Sequence, residues 1–282
     1  MNTELLIATN GYKGTWPSIE YGAWLAATLK AKISLLGVTE HLSAAQLDDH
    51  HPLEEVCARA VELFQAQGVK YSLEIRNGDA EEIIPHKARE GDFITVLGSL
   101  GRPRFRRWLM GHSIRHLMAE IAGPLVYVPQ ARIPLQKLLI CIGGLGYELS
   151  AEHFAMQVAV ACRAEIALLH VVPQVDLDYP TARIERKEWQ HLVDTNTPVG
   201  RSLRQTLELA KTEGLTARVM ARQGHVVEEI LAEVKEGNYD MLCMGSPYST
   251  NALRQLYTPN VTGEVAEGAG CPVVTARYTR GQ

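Results

Sequence analysis

Apolar and polar positions along this chain follow two alternating periods. Short continuous apolar runs at residues 4–9, 32–38, 69–75, 93–97 and 125–128 read as buried strands. Between them the apolar residues recur at helical spacing. Tyr21, Trp24, Leu25, Thr28 and Leu29 mark one face after Pro17, which suits a first helical position. Leu53, Val56, Ala60, Leu63 and Phe64 mark a second helix that starts near Pro52 and stops at Gly68. Asp79 and Glu82 have the spacing of a capping box for a helix carrying Ile83 and Ile84, in which Pro85 is expected to cause a kink or a late start. Ile114, Leu117, Met118 and Ile121 mark a further helix from His112, which ends at Gly123-Pro124. Alternating strands and helices with continuously apolar strands predict a parallel sheet covered on both faces.

The same order then begins again. Leu5-Leu6-Ile7 recurs as Leu138-Leu139-Ile140, and Leu35-Leu36-Gly37-Val38 as Leu168-Leu169-His170-Val171, both displaced by 133 positions. Later landmarks are displaced further: Arg76-Asn77-Gly78 recurs as Arg222-Gln223-Gly224, Gly98-Ser99 as Gly245-Ser246, and Gly123-Pro124 as Cys271-Pro272. The second half is thus a copy with an insertion between Val172 and Pro198. That charge-rich stretch reads as a solvated connection with a short helix around residues 183–193, or alternatively as a flap over a neighbouring pocket. Thr197-Pro198 then has cap and first-position chemistry for a helix ending at Gly214. The expected domains are residues 1–132 and 133–282, joined by a junction short enough that they should pack together.

Composition narrows the possible partners. The 282 residues hold 28 Lys plus Arg against 32 Asp plus Glu, a net charge of −4, so nothing in the overall balance draws the chain to nucleic acid or to an anionic membrane. No apolar run approaches the ~20 residues a membrane helix needs, and the first residues enter a strand without the features of a signal peptide. A cytoplasmic location is expected. The cysteines, Cys57, Cys141, Cys162, Cys243 and Cys271, form no CxxC pair and read as buried thiols in a reducing compartment.

Candidate chemistry concentrates at residues 98–113, GSLGRPRFRRWLMGHS. Gly98, Gly101 and Gly111 lie between a strand and a helix start, where free backbone N–H groups and the positive end of a helix dipole favour an anion. Arg102, Arg104, Arg106 and Arg107 add local positive charge, and Arg102 beside Gly101 is the one expected to meet a phosphate. Tight turns need glycine for their own reasons, and Phe105, Trp108, Leu109 and Met110 read equally as a packing patch. His112 and His116 share a helix face, but without a third ligand a capping or surface role is expected rather than a metal. The other histidines carry no pattern and read as loop residues. No GxSxG, no GxxxxGK[ST] and no paired carboxylates support a catalytic mechanism.

Both halves resemble universal stress protein domains, and the chain resembles a tandem member of that family. The resemblance rests on LLIATNG and LLICIGG, LLHVVPQ, VLGSLG and MLCMGS, and the closing CPVV. It implies two α/β/α domains, each with a five-stranded parallel Rossmann-like sheet of the adenine nucleotide alpha hydrolase type. The last strands would pair across a pseudo-dimer within the chain, and a further homodimer is open. Gly98, Gly101 and Gly111 reproduce the spacing of the family's Gly-x2-Gly-x9-Gly nucleotide motif. The implied ligand is ATP or a related adenine nucleotide, with magnesium as an optional companion. Asn10, Gly11 and Val38 would lie near the adenine, and Gly98, Ser99, Gly101, Arg102, Gly111, His112 and Ser113 near the phosphates. Such a protein would regulate by binding, alone or with a protein partner, and hydrolyse slowly at most. The sequence departs from the family at His112, where a hydroxyl residue is usual, and at Asn10, where an acid is usual. The second copy departs further. Gly143 replaces the acid, and Tyr248 and Thr258-Pro259 fall where the later glycines belong, so its nucleotide site is expected to be lost. Asn260 and Thr262 there read as helix caps.

Overall fold

A computed structural model of the chain describes residues 3–39, 53–99, 114–121, 123–143, 149–173, 181–246 and 261–277. The chain forms two compact units, Met1–Ile133 and Pro134–Gln282.

In the first unit the strands are β1 (Glu4–Thr9), β2 (Lys32–Thr39), β3 (Tyr71–Asn77), β4 (Phe93–Gly98) and β5 (Pro124–Val128). All pairings are parallel and the order is β3-β2-β1-β4-β5. The chain therefore steps outward from β1 to β3, then returns to the other side of β1, which makes the β1/β4 junction the point where the winding reverses. The central strands are apolar at nearly every position because both faces are covered: Leu5, Leu6, Ile7, Leu35, Leu36 and Val96 are all fully buried.

The helices are α1 (Trp16–Leu29), α2 (Leu53–Ala66), α3 (Ala80–Ala88) and α4 (Ile114–Glu120). In α1 the buried face includes Ile19, Gly22 and Ala26, which apolar spacing alone did not single out, while Trp24, Thr28 and Leu29 are half-buried. Small residues win there because the helix lies close on the sheet: a Cβ on Gly22 would come within 2.4 Å of Ile7 Cδ1. Pro85 neither breaks nor delays α3. The helix begins at Asp79, whose carboxylate accepts the Glu81 N–H at 2.9 Å, and runs on to Ala88 with Pro85 buried. A missing proline N–H costs one helical hydrogen bond, and burial of the ring offsets it.

The second unit repeats this order. Its strands β6 (Lys137–Cys141), β7 (Glu165–Pro173), β8 (Ala217–Gly224), β9 (Met241–Ser246) and β10 (Val273–Arg277) are parallel and arranged β8-β7-β6-β9-β10. Its helices are α5 (Leu149–Cys162), α6 (Ala182–Lys187), α7 (Pro198–Thr212), α8 (Val226–Gly237) and α9 (Val261–Gly268). Thr197 caps α7 as expected, accepting the Gly200 N–H at 3.1 Å. The described part of the insertion, residues 181–197, keeps many side chains in solvent but is anchored on the unit. After α6 it forms a 3-10 segment, Trp189–Asp194, that packs on β8 and α7, with Leu192 only 2% exposed. Gly200 lets it approach: a Cβ there would lie 2.5 Å from the carbonyl oxygens of Leu192 and Thr195.

On the α3 side of β3, Glu74, Arg76, Lys87 and Glu90 close a four-membered ring of alternating charge, with Arg76 to Glu90 at 2.9 Å and Lys87 to both carboxylates at 2.8 Å. Hydrogen bonds from Lys87 and then Arg76 hold the Glu90 carboxyl down at about 2, and Glu74 is lowered in the same way. A carboxylate depressed by folding adds stability that is complete above its unfolded pKa, about 4.5, and is lost as pH falls through the folded value. The acid-side decline in thermal midpoint between pH 4.5 and 2 is therefore expected to be shallower in Glu90→Gln, and calorimetry at stepped pH checks this. Because these groups are exposed, 1 M salt should remove most of the difference.

Candidate functional site

The site is built on the turn that follows β1. Gly11 takes a left-handed φ of +82°, and its N–H donates to Thr9 Oγ1 at 3.1 Å. Thr9 and Thr15 hydroxyls meet at 2.6 Å, and Thr15 in turn donates to the Tyr12 carbonyl at 2.8 Å, so the Thr9 hydroxyl is the donor between them. Asn10, only 3% exposed, accepts the Tyr12 N–H on Oδ1 at 3.3 Å, an Asx turn. Ser18 Oγ donates to the Thr15 carbonyl at 2.7 Å. The turn is thus held rigid by its own hydroxyls before any ligand is considered.

Against this turn lies the end of β4. A Cβ on Gly98 would sit 2.9 Å from Ser18 Oγ, 3.0 Å from Thr15 Cα and 3.1 Å from the Gly14 carbonyl. Gly98 is therefore required by strand-to-turn packing, whatever else it does. Ala8, Thr9, Asn10, Thr15, Val38, Ala80, Ile84, Leu97 and Gly98 enclose a cavity of about 10 Å³, room for one water. The carboxyl ends of β1, β2 and β4 converge there, at the reversal of winding where open α/β sheets place ligands.

Beside the cavity, Gly11, Tyr12, Lys13, Gly14, Glu55, Val56 and Arg59 line a cleft of about 560 Å³. The Arg59 guanidinium stands 3.9 Å from the centre of the Trp16 ring, a cation–π contact that fixes it on the cleft wall. Among the described lining residues, Lys13 and Arg59 against Glu55 leave one net positive charge.

Of the residues singled out from the sequence, Asn10, Val38 and Gly98 meet around one cavity, Gly11 lies on the adjoining cleft, and Ser99 follows Gly98 half-buried. Gly101, Arg102, Gly111, His112 and Ser113 lie outside the described residues, as do Arg104, Phe105, Arg106, Arg107, Trp108, Leu109 and Met110. Spacing did not reveal Thr9, Thr15, Ala80, Ile84, Lys13 or Arg59. The one available signal was the pair of threonines flanking a polar turn, which says nothing about a site until the turn closes. His116 is exposed on α4, and among the described residues no group of three His, Cys, Asp or Glu could hold a metal.

The profile of the universal stress protein family matches residues 1–129 and again 134–277. The chain belongs to the universal stress protein family. It is 23% identical to a universal stress protein of Synechocystis sp. over 305 aligned positions, covering 97% of this chain and 99% of that one. Among solved structures it is similar to a universal stress protein from Archaeoglobus fulgidus, with a TM-score of 0.68, 18% identity and coverage of 99% and 98% of the two chains. A second similar fold comes from Pseudomonas aeruginosa, with a TM-score of 0.64, 13% identity and coverage of 97% and 92%.

The second family domain has diverged at the corresponding turn. Gly143 is exposed, and among the described residues nothing lies within 4 Å of where its Cβ would be. His170 is a strand residue of β7, not a loop residue, 7% exposed and with Nδ1 2.7 Å from the Ile142 carbonyl. It ties β7 to the end of β6. Thr262 does not cap α9 from outside: it is the second residue of that helix and donates to the Gly245 carbonyl at 3.2 Å, locking helix to strand. Tyr248, Thr258, Pro259 and Asn260 lie outside the described residues. None of the five cysteines forms a disulfide. Burial pushes the Cys141 thiol up to about 12 and raises those of Cys57 and Cys162, which leaves them protonated and poorly nucleophilic at neutral pH. No described helix is long and apolar enough to cross a membrane.

Proposed function

We propose that the first unit binds ATP or a related adenine nucleotide and that this cytoplasmic protein regulates through occupancy rather than turnover. The supporting observation is the convergence of Asn10, Val38 and Gly98, from the ends of three strands, on one cavity at the β1/β4 junction. The neighbouring cleft, with Lys13 and Arg59 on its wall, falls in the volume range of small-ligand sites and suits an anionic ligand. Asn10 and Val38 would face the base, and Gly98, Ser99, Gly101, Arg102, Gly111, His112 and Ser113 the phosphates. Magnesium, if it accompanies the nucleotide, would be held through phosphate oxygens and water. The second unit serves as a structural or partner-binding copy.

Calorimetric titration with ATP, paired with thermal melting, tests this. A ligand at 100 times its dissociation constant adds about 2.7 kcal/mol to the unit that binds it. Heat and a melting shift are expected for the natural chain, and both should vanish in Gly101→Val/Gly111→Val, whose side chains would deny phosphate the backbone. No heat and no shift at millimolar nucleotide would overturn the reading, and turnover above about 1 s⁻¹ would make the protein an enzyme. A second reading, a family member that acts through protein contacts alone, is favoured by one observation: Asn10 Oδ1 already serves its own turn and the cavity beside it has room for only one water. The same titration separates the two.

A further inference from the structure

Strand β3 ends the sheet of the first unit and, among the described residues, pairs only with β2. Its residues alternate strictly. Tyr71, Leu73 and Ile75 share the α2 side, where Tyr71 meets the Phe64 ring at 5.8 Å and accepts a hydrogen bond from Gln65 at 3.1 Å. Glu74 and Arg76 share the α3 side. The three apolar side chains are 38%, 44% and 50% exposed, three of the five large hydrophobic residues exposed among those described.

The duplicated unit shows what this position ordinarily requires. Aligned through Arg76 and Arg222, the counterparts of Tyr71, Leu73 and Ile75 are Ala217, Val219 and Ala221. Those smaller residues are half-buried, with the 3-10 segment Trp189–Asp194 packed on their strand. Among the described residues, which leave out 40–52, the first unit thus carries the larger apolar groups and leaves them more exposed, the reverse of what burial alone would select. An exposed, hydrophobic edge strand is a template for another strand.

The backbone is set for such pairing. Lys70 offers its carbonyl to Ile33 at 2.9 Å and Gly78 its N–H to Thr39 at 3.0 Å, both on the β2 side. Because the ladder alternates, Tyr71, Leu73, Ile75 and Asn77 direct their N–H and C=O groups to the open edge. We propose that two copies of this chain associate through β3, antiparallel about a two-fold axis at Ile75, extending the sheet across the pair. An isologous contact must be self-complementary, and charge selects the register. Pairing about Ile75 sets Glu74 opposite Arg76 of the second copy and Arg76 opposite its Glu74. Pairing about Glu74 would oppose that carboxylate to itself, and pairing about Leu73 would oppose Lys70 to Arg76; like charges directly opposite are unfavourable. The apolar stripes of both copies then form one band on the α2 side.

Sedimentation of the full chain over a range of concentrations tests the association. A concentration-dependent dimer is expected, with at least a tenfold weakening in Ile75→Arg and in Leu73→Lys. Both positions are solvated, so the variants should melt close to the natural chain. Opposed residues of a hydrogen-bonded antiparallel pair have Cα atoms about 5.5 Å apart, within disulfide range. Ile75→Cys should therefore give a covalent dimer under mild oxidation, while Leu73→Cys, displaced from its own copy by four residues in this register, should not. A chain that stays monomeric at 100 µM would overturn the proposal, as would a dimer indifferent to Ile75→Arg. In that case the stripe serves a different protein. Cross-linking through Leu73→Cys but not Ile75→Cys would overturn the register.

Discussion

Gly11→Val is expected to lower the melting midpoint of the first unit by about 10 °C, although the residue makes no contact that a list of interactions would rank highly. Two costs add. At φ +82° a side chain with a branched Cβ is strained, about 1–2 kcal/mol. The Cβ would also stand 2.7 Å from both N and Cα of Leu53, backbone atoms at the start of α2 that have no rotamer to change. Overpacking of this kind costs about 1–3 kcal/mol. A combined loss near 3 kcal/mol in a domain of this size shifts the midpoint by roughly 2–4 °C per kcal/mol. Gly68 is the control: its φ is +68° but nothing lies within 4 Å of its Cβ position, so Gly68→Asn should cost little. Scanning calorimetry of the two variants checks the contrast, and equal midpoints would show that α2 does not brace the turn. Since Gly11 follows Asn10, the same variant should also lose any nucleotide response.

The second large effect comes from one arginine that the duplication placed twice. Arg222 donates to Glu233 through Nε at 2.9 Å and Nη2 at 2.6 Å and to Glu229 at 3.3 Å, and it also contacts Glu236. The Glu233 side chain is 5% exposed, and its other oxygen accepts the Tyr239 hydroxyl at 2.9 Å. Burial works against the charge on Arg222, but the hydrogen bonds to Glu236, Glu233 and Glu229 outweigh it and hold its pKa above the ordinary value. Burial, with Glu233 beside it, likewise keeps the Tyr239 phenol protonated. Removing the cation would strand a buried carboxylate among two others, and an uncompensated buried charge costs about 3 kcal/mol or more. Arg222→Ala should therefore unfold the second unit about 3 kcal/mol sooner in a denaturant titration. Arg76→Ala, whose partners Glu74 and Glu90 are 38% and 36% exposed, should cost the first unit less than about 1 kcal/mol. Equal costs would mean that burial of the carboxylate does not set the value of the pair.

Much of the fold is legible in the order of residues because burial on both faces leaves a continuous apolar run, and such runs locate β1, β2, β4 and β5 to within a residue or two. Strand β3 is less legible. The apolar run suggests residues 69–75, whereas the strand is Tyr71–Asn77, because an edge strand tolerates polar residues such as Arg76 and Asn77 that a central strand would have to bury. The insertion reads as solvated because its charges dominate the composition, yet one leucine, Leu192, anchors it on β8. At the candidate site, Gly98 could be named in advance from the glycine spacing, and Asn10 and Val38 from what the resemblance to the family implies. Thr15, Ile84 and Arg59 could not, since each reaches the turn after β1 from a helix or a helix start.

Local chemistry along the chain determines which segments are strands, which are helices, where Asp79 and Thr197 begin helices, and that the unit is repeated. These depend on neighbours within a few positions and survive without knowledge of the fold. Tertiary structure alone decided that Gly98 is required by Thr15 and Gly14, that Gly11 is held against Leu53, that one copy of an arginine is paired with a buried carboxylate and the other with exposed ones, and that the apolar stripe on the edge strand of the first unit is exposed where its counterpart in the second is half-buried. Each of these depends on how one element packs against another, and packing rather than pattern decides which groups meet.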